Sequence, residues 1–339
     1  MGLFRRQPPP TEPAESAPVF ELPSPPPAAR ADGLRDFTAQ RDYVLSLVAP
    51  LAPFGVPLLD AVGLTLNESI RPDATWPQGS PAPGEALVQR GVKIGPRLVG
   101  LLAGVGIDKV MTRPKPRVVV IALSGPAISS ETGLRAAPDL SSYLVAAELE
   151  AQGAQVWRVP TDSPDPEAAA DLIADQMIRA DLIVTVGGLE AGSVDLAEVL
   201  PRLGPCDIAS VAITPGHRQG LALVGEDRVP LLALPDEPVA AHVLIMTLLA
   251  PVLRRMSGAD TVLPPLRRAR LTQPVALTPG LLTCAHATVY DNGTLSLRPR
   301  RSGVEALASI NRCNGLALLE DDSGQVGIGG WIDYLPLEG

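Results

Sequence analysis

Four short segments rich in glycine and proline are the parts of this sequence where chemistry could be placed. They are Ser124–Ile128, Gly187–Asp195, Thr214–Arg218 and Leu234–Pro238. Glycine lets a backbone approach a ligand closely, and the free N–H groups of a helix start after Gly192 would hold an anion. This composition therefore indicates an anion-binding edge, although turns of the same kind also serve folding alone.

Other reactive side chains do not form a catalytic pattern. The sequence has three histidines and three cysteines: His217, His242, His286, Cys206, Cys284 and Cys313. No two histidines have the i, i+4 spacing of a metal-binding helix face, and no cysteine pair is spaced as CxxC. Ser124 stands in no GxSxG elbow. We therefore predict no catalytic residue, no metal site and no disulfide framework. His242 lies in an apolar helical run and is expected to be a hydrogen-bonded core or interface histidine.

Alternating apolar segments indicate the elements that position these loops. Predicted strands and helices are Val118–Leu123, Leu140–Gln152, Val156–Val159, Glu167–Arg179, Asp181–Val186, Ile208–Ile213, Leu231–Leu234 and a helix from Val239. Continuous apolar strands that alternate with helices are typical of a parallel sheet covered on both faces. The fold class is therefore α/β, with a central parallel-sheet sandwich, and ligands of such sheets bind beyond the carboxyl ends of the strands.

The flanking regions have different compositions. Residues 1–30 are rich in proline and are predicted to be a disordered tail. Residues 31–113 are expected to be an N-terminal helical and linker subdomain, with a helix over Leu34–Ala49. The α/β domain takes residues 114–258. Residues 259–339 are predicted to be a small β-barrel domain, with a tight hairpin at Asp291–Gly293.

Composition excludes several functional classes. Asp plus Glu exceed Lys plus Arg by 37 to 28, a net charge of −9 that repels nucleic acid. The apolar run Val239–Leu253 contains His242 and Pro251 and is interpreted as a buried helix rather than a membrane span. The first residues lack the apolar core of a secretory signal. We expect a cytoplasmic protein without direct membrane insertion.

The four loops, in that order, resemble the molybdopterin molybdenumtransferase family, whose animal member is the E domain of gephyrin. The resemblance covers about residues 34–339, and the family's loops read approximately TGDEL, GGVSxGxxD, PGKP and LPGNP. It implies an elongated homodimer with a central α/β subdomain and a C-terminal β-barrel. It also implies that loop positions retained here are vestigial cofactor-binding positions. These are Gly187, Gly188, Gly192, Asp195, Pro215, Gly216, Pro235 and Pro238.

The sequence departs from this family at chemically important positions. Pro126-Ala127 stands where the family has Asp-Glu, Glu190 replaces a serine, and His217-Arg218 replaces Lys-Pro. Asp236-Glu237 replaces Gly-Asn, and each carboxylate would repel another negative charge by about 4 kcal/mol at 4 Å and a dielectric of 20. The family's β-rich insertion, between about Ile70 and Gly84 here, is deleted. These changes predict that the last loop expels molybdate.

The resemblance and its departures lead to three expectations. The first is a non-catalytic, gephyrin-like dimeric scaffold or adaptor without a cofactor, whose peptide partner is a cell-division protein such as the tubulin-like FtsZ. The alternative is a molybdopterin molybdenumtransferase that uses molybdopterin, molybdate and magnesium, with Asp162, Asp195 and Arg218 replacing the lost groups. A regulatory binder of a nucleotide or pterin is the third. Six arginines form a solvated barrel rim or a dock for an acidic peptide: Arg267, Arg268, Arg270, Arg298, Arg300 and Arg301.

Overall fold

The computed structural model describes residues 21–71, 85–123, 139–161, 165–190, 194–320 and 323–337. The predicted first loop, Ser124–Ile128, lies outside the described residues, as do Asp162 and Gly192.

The N-terminal region contains a small antiparallel sheet. Its elements are α1 (Phe37–Ser46), β1 (Phe54–Pro57), β2 (Thr65–Leu66), α2 (Pro96–Gly104) and β3 (Lys109–Arg113). The strands pair in the order β1-β3-β2 around a core that includes Leu66 and Leu102. Asp36 begins α1 by accepting a hydrogen bond from the amide of Ala39 at 2.8 Å, an ordinary N-cap. The sequence indicated the first helix but not the sheet, because strands of two to five residues have little periodicity.

A six-stranded sheet forms the centre of the molecule. Its strands are β4 (Arg117–Ala122), β5 (Gln155–Pro160), β6 (Leu182–Val186), β7 (Cys206–Ser210), β9 (Arg218–Val224) and β10 (Val229–Leu234). The order is β5-β4-β6-β10-β9-β7, and the first four strands are parallel. The predicted α/β class is confirmed. The sequence missed β9, which runs antiparallel to both of its neighbours, so the sheet is mixed rather than purely parallel.

Helices cover both faces of this sheet. They are α3 (Leu140–Ala151), α4 (Pro166–Gln176), a 3₁₀ turn (Met177–Arg179), α5 (Leu196–Leu203), α6 (Pro238–Leu244), a π-helical segment (Ile245–Leu249) and α7 (Ala250–Met256). Successive residues of a strand point to opposite faces. Val118 and Val120 accordingly pack in the core with α3 and α6, and Val119 and Ile121 pack in the core with α4 and α5.

Helices α6 and α7 join through the π-helical segment into one helix, Pro238–Met256. By length and hydropathy alone this helix could cross a membrane, but 83% of its apolar window is buried inside the protein. The expectation of a buried helix over Val239–Leu253 is confirmed.

The C-terminal region is a closed barrel of five strands. Its elements are β8 (Ile213–Thr214), β11 (Arg267–Leu271), β12 (Val275–Ala276), β13 (Leu282–Val289), β14 (Thr294–Leu297), α8 (Gly303–Ile310), β15 (Gly315–Leu319), β16 (Gln325–Val326) and β17 (Trp331–Pro336). The order β14-β11-β17-β15-β13 closes where β13 pairs with β14, and β8 adds a short strand beside β13. The predicted hairpin is confirmed, with Val289 opposite Leu295 and Gly293 at φ +77°.

The last third of the predicted tail, residues 21–30, lies against the folded protein. Leu22 packs on the main core, and the Tyr43 hydroxyl donates to the carbonyl of Ser24 at 2.9 Å. Arg30 donates to the carbonyl of Gly280 at 2.8 Å, which ties this segment to the barrel. The prediction of disorder is therefore wrong for residues 21–30, because a sequence rich in proline can still lie extended along a surface.

Candidate functional site

The described parts of the last three predicted loops converge at the carboxyl edge of the central sheet. Strands β4, β6 and β10 end side by side, and the amide of Gly187 donates to the carbonyl of Leu234 at 2.9 Å. Because β9 is antiparallel, the turn that precedes Arg218 reaches the same edge. The structure thus brings together seven of the eight predicted positions: Gly187, Gly188, Asp195, Pro215, Gly216, Pro235 and Pro238.

Two glycines at this edge are explained by close packing. Gly188 has φ +78°, and a Cβ there would lie 2.8 Å from Cγ of Leu196. Gly216 has φ +99°, and its Cβ would lie 2.9 Å from Cγ of Leu244. Both positive φ angles favour glycine, and both contacts exclude a side chain. These turns therefore hold α5 and α6 against the sheet, as the structural interpretation of the loops predicted.

Four helices begin at this edge, and each is capped by an acidic side chain of the protein itself. The caps of α3, α4, α5 and α6 are Asp139, Asp165, Asp195 and Glu237. An acidic N-cap satisfies free amides and complements the helix dipole. The expectation of a free helix start after Gly192 is corrected, because Asp195 Oδ1 accepts from the amide of Ala197 at 2.9 Å.

Glu237 changes the electrostatic argument for the last loop. Its Oε1 accepts from the amide of Val239 at 3.1 Å, and its Oε2 accepts from the amide of Ala240 at 2.8 Å. Nη2 of Arg300 lies 3.5 Å from the same Oε2. The prediction that both carboxylates of Asp236-Glu237 face an oxyanion is therefore wrong for Glu237, whose charge is compensated by two amides and a guanidinium.

A cluster at the start of α3 was missed by sequence reasoning. Nη2 of Arg158 lies 2.5 Å from Asp139 Oδ2, and its Nε donates to Ser142 Oγ at 2.6 Å. The guanidinium carbon stands 4.0 Å from the centre of the Tyr143 ring. Burial raises the pKa of Asp139, but hydrogen bonds from Ser142 and Arg158 outweigh it, so the pKa is lowered. An Asp directly before an apolar helical run was the available N-cap signal.

Among the remaining polar groups at the edge, Arg218 and His217 could donate hydrogen bonds to an anion. Arg218 is half-buried at the start of β9, whereas His217, Glu190 and Asp236 are exposed. Gln219 donates to the carbonyl of Gly216 at 3.2 Å, and its buried Oε1 has no hydrogen-bond partner among the described residues. In the part of the chain that the structure describes, no three His, Cys, Asp or Glu side chains group as metal ligands.

Sequence reasoning also failed to pair two histidines. His286 Nε2 lies 2.9 Å from His242 Nδ1, and His242 Nε2 lies 3.6 Å from Glu148 Oε1. The expectation that His242 is a hydrogen-bonded core histidine is confirmed. Burial, helped by His242, lowers the pKa of His286 to about 3. The two histidines are 44 positions apart, on α6 and β13, and no sequence spacing relates such positions.

Comparison with known proteins identifies the central domain. Residues 120–255 match the family described as "Probable molybdopterin binding domain". The chain is 34% identical over 201 residues to molybdopterin molybdenumtransferase 1 of Mycobacterium tuberculosis, covering 58% of this chain and 47% of that protein. It is 28% identical over 324 residues to molybdopterin molybdenumtransferase 2 of the same organism, covering 89% and 78%. The chain thus spans about half the length of the first relative.

Solved structures share the fold. The molybdopterin biosynthesis moeA protein from Pyrococcus horikoshii matches with a TM-score of 0.72 and 17% identity, over 90% of this chain and 100% of that one. A molybdenum cofactor biosynthesis protein from Pyrococcus furiosus matches with a TM-score of 0.68 and 18% identity, over 89% and 99%. The central domain thus matches a molybdopterin-binding family, the chain is similar in sequence to molybdopterin molybdenumtransferases, and the solved structures share its fold.

Proposed function

We propose that this protein acts in molybdenum cofactor biosynthesis as a molybdopterin molybdenumtransferase, with its pterin substrate bound at the carboxyl edge of the central sheet. One observation carries the proposal. The segment that matches a molybdopterin-binding family, residues 120–255, is the same segment whose strand-end turns meet at one edge. The relatives carry this enzyme's name.

Arg218 is the residue that we assign to the anionic substrate. It stands at the edge, directly after the Pro215-Gly216 turn, and the described residues give it no ion pair. A guanidinium suits phosphate and molybdate oxygens because it offers several donors in a fixed plane. Asp195 is left out of this assignment because it caps α5.

The electrostatic objection to an oxyanion is weaker than the sequence suggested. Two carboxylates in the last loop would each repel one negative charge of molybdate by about 4 kcal/mol at 4 Å and a dielectric of 20. Glu237 is instead turned onto the amides of Val239 and Ala240 and lies beside Arg300. Only Asp236 remains exposed in that loop.

A non-catalytic scaffold remains the second candidate, and one observation favours it. All four helix starts at the edge are capped by the protein's own acids, which reduces the capacity of the edge for a foreign anion. A homodimer and a peptide partner, such as a cell-division protein of the FtsZ type, belong to this hypothesis.

The test is a titration of the purified protein with adenylated molybdopterin, followed by addition of molybdate and measurement of molybdenum transfer. We expect saturable binding and transfer. Removal of a charge-assisted hydrogen bond costs about 1.5–3 kcal/mol, so R218Q should weaken binding about 10- to 100-fold. Arg202, exposed at the far end of α5, supplies the matched control R202Q, which should bind as the wild type does.

Each other outcome decides between the candidates. Binding without transfer would favour a pterin-binding member that has lost catalysis. The absence of any binding would overturn the assignment of the edge to this substrate and leave the scaffold. Equal weakening by R218Q and R202Q would mean that Arg218 has no specific contact.

A further inference from the structure

A second cleft lies where the three regions of the molecule meet. Its volume is about 880 Å³, and its walls come from the end of α3, from α6, from α8, from the end of β17 and from the N-terminal sheet. None of its lining residues belongs to the turns 187–195, 215–218 or 234–238. Clefts that bind small molecules commonly have volumes of about 300–1,000 Å³. The cleft is thus large enough for a ligand and separate from the substrate edge.

The charge of this cleft is opposite to that of the protein. Four basic residues line it, Lys93, Arg113, Lys115 and Arg254, whereas Glu148 is its one acidic lining residue. The whole chain carries a net charge of −9. A positive cleft in an acidic protein indicates a negatively charged occupant, because fields focus in clefts lined by one sign of charge.

Two of these cations are directed into the cleft without an ionic partner. Nζ of Lys93 lies 4.0 Å from the Cβ position of Gly153, at the end of α3, and Cε of Lys115 lies 4.0 Å from that of Gly63. The ion pairs of the described residues include neither lysine. Both lysines are exposed residues.

The single acid is already engaged. Glu148 Oε1 lies 3.6 Å from His242 Nε2, and His242 in turn contacts His286 at 2.9 Å. The hydrogen bond from His242 lowers the pKa of Glu148, so this carboxyl stays ionised and directed at the histidine. It forms no ion pair with Lys93 or Lys115.

The cleft also has apolar lining residues. Leu144 and Met246 come from the helices of the α/β domain, and Leu307, Ile310, Leu335 and Leu337 come from the barrel side. A ligand that contacts both the lysines and these apolar side chains needs an anionic head and an apolar body. Burial of that body would contribute about 25 cal/mol for each Å² removed from water.

We propose that this cleft binds a small amphipathic organic anion, a phosphate monoester with an apolar body, whose head contacts Lys93 and Lys115. The inference is independent of molybdenum transfer, since no residue of the substrate edge takes part. The ligand would bridge the N-terminal sheet, the α/β domain and the barrel.

Calorimetric titration with n-octyl phosphate below its micelle concentration tests the proposal. We expect saturable binding of one molecule per chain. The double variant K93Q/K115Q should weaken binding at least tenfold and reduce its salt dependence. K109Q is the matched control, since Lys109 is exposed on β3 of the same sheet but does not line the cleft, and it should bind as the wild type does.

A second variant tests the cleft if the double variant fails to fold. Ala151 is exposed at the end of α3 and lines the cleft, so A151W should occupy part of the space beside the lysines and weaken binding at least tenfold while the lysines remain. Light scattering on the same samples tests whether a second copy of the chain covers this face. Lack of saturable binding, equal affinity in K109Q and K93Q/K115Q, or dissociation of a dimer by the lysine changes would overturn the proposal.

Discussion

The carboxyl edge of the central sheet and the cleft between the three regions use charge in opposite ways. At the edge, four acidic side chains cap the starts of four helices, where they accept hydrogen bonds from main-chain amides. In the cleft, Lys93 and Lys115 have no ionic partner, and a buried chain of two histidines engages the single acid. The helix-capping acids of the edge are therefore bonded within the protein, whereas the two lysines of the cleft form no ion pair among the described residues.

This difference shows why a charge counted along the sequence is a poor guide to a field at a site. Glu237 counts as one negative charge in the sequence, but in the structure its carboxylate is bonded to two main-chain amides. A ligand responds to the charges that the protein's own hydrogen bonds and ion pairs leave uncompensated. At the edge these charges include Arg218, and in the cleft they are the two lysines.

The largest loss of stability is expected when the closely packed turn at Gly188 is changed. G188A places a methyl group 2.8 Å from Cγ of Leu196 on a backbone with φ +78°. Strain at positive φ and overpacking together should lower the free energy of unfolding by about 2–4 kcal/mol in urea titrations.

Gly293 is the matched control for this change. It has φ +77° in the β13–β14 hairpin, with no atom within 4 Å of a built Cβ. G293A should therefore cost only the conformational part, about 1–2 kcal/mol. Equal losses in the two variants would show that packing does not fix the turn at Gly188, and the edge would lose its description as a rigid frame.

The sequence predicted the frame better than it predicted the contacts. Val118–Val120 and Leu182–Val184 are apolar enough to predict buried strands, and Asp291–Gly293 predicts the hairpin, because these features depend on local residue types. Strand β9 was missed because its run follows Pro215-Gly216 directly, and that pair was interpreted as a ligand loop. The cap at Glu237 was missed because proline at the first helical position was assigned to a family motif rather than to a helix start.

Contacts between segments that are distant in sequence cannot be predicted from local residue patterns. Arg35 pairs with Asp207, 172 positions away, and residues 21–30 lie along α1 and the barrel. Such pairs are set by the packing of whole elements, which periodicity does not encode. The same limit explains why His242 and His286 were described separately.

The next largest effect is expected at His286, which contacts the cleft-lining His242, as a pH dependence of the free energy of unfolding. The pKa of His286 is lowered to about 3, whereas an unfolded histidine has a pKa near 6.5. Between those values the unfolded chain binds more protons, so stability falls as the pH falls from about 6.5. The H286Q variant lacks this titration. Over that window, its free energy of unfolding should therefore fall by about 1.4 kcal/mol less per pH unit than that of the wild type.

Urea unfolding at pH 7 and at pH 5 measures this difference. H217Q is the control, because His217 is exposed at the other site, and it should keep the acid sensitivity of the wild type. If H286Q and the wild type lose stability in parallel, the buried histidine chain is not the acid-sensitive part of the cleft.

A smaller effect should follow from loss of the cap at Glu237. The E237A variant frees the amides of Val239 and Ala240, and loss of an N-cap costs about 1 kcal/mol of stability. E226A, in the turn between β9 and β10, should change stability by less than about 0.5 kcal/mol. A loss with E237A no larger than that with E226A would return Glu237 to the role of a free charge at the edge.

The smallest effect should come from the lysines of the cleft. Because Lys93 and Lys115 have exposed side chains and no ion pair in the described residues, K93Q/K115Q should change the free energy of unfolding by less than about 0.5 kcal/mol. Urea titrations at 0.05 M and 0.5 M salt would measure it, and the two curves should shift equally in variant and wild type. A loss above about 1 kcal/mol would assign the lysines to the fold. The lysines of the cleft would then be compensated within the protein, as the capping acids of the edge are, and their positive charge would no longer indicate a ligand.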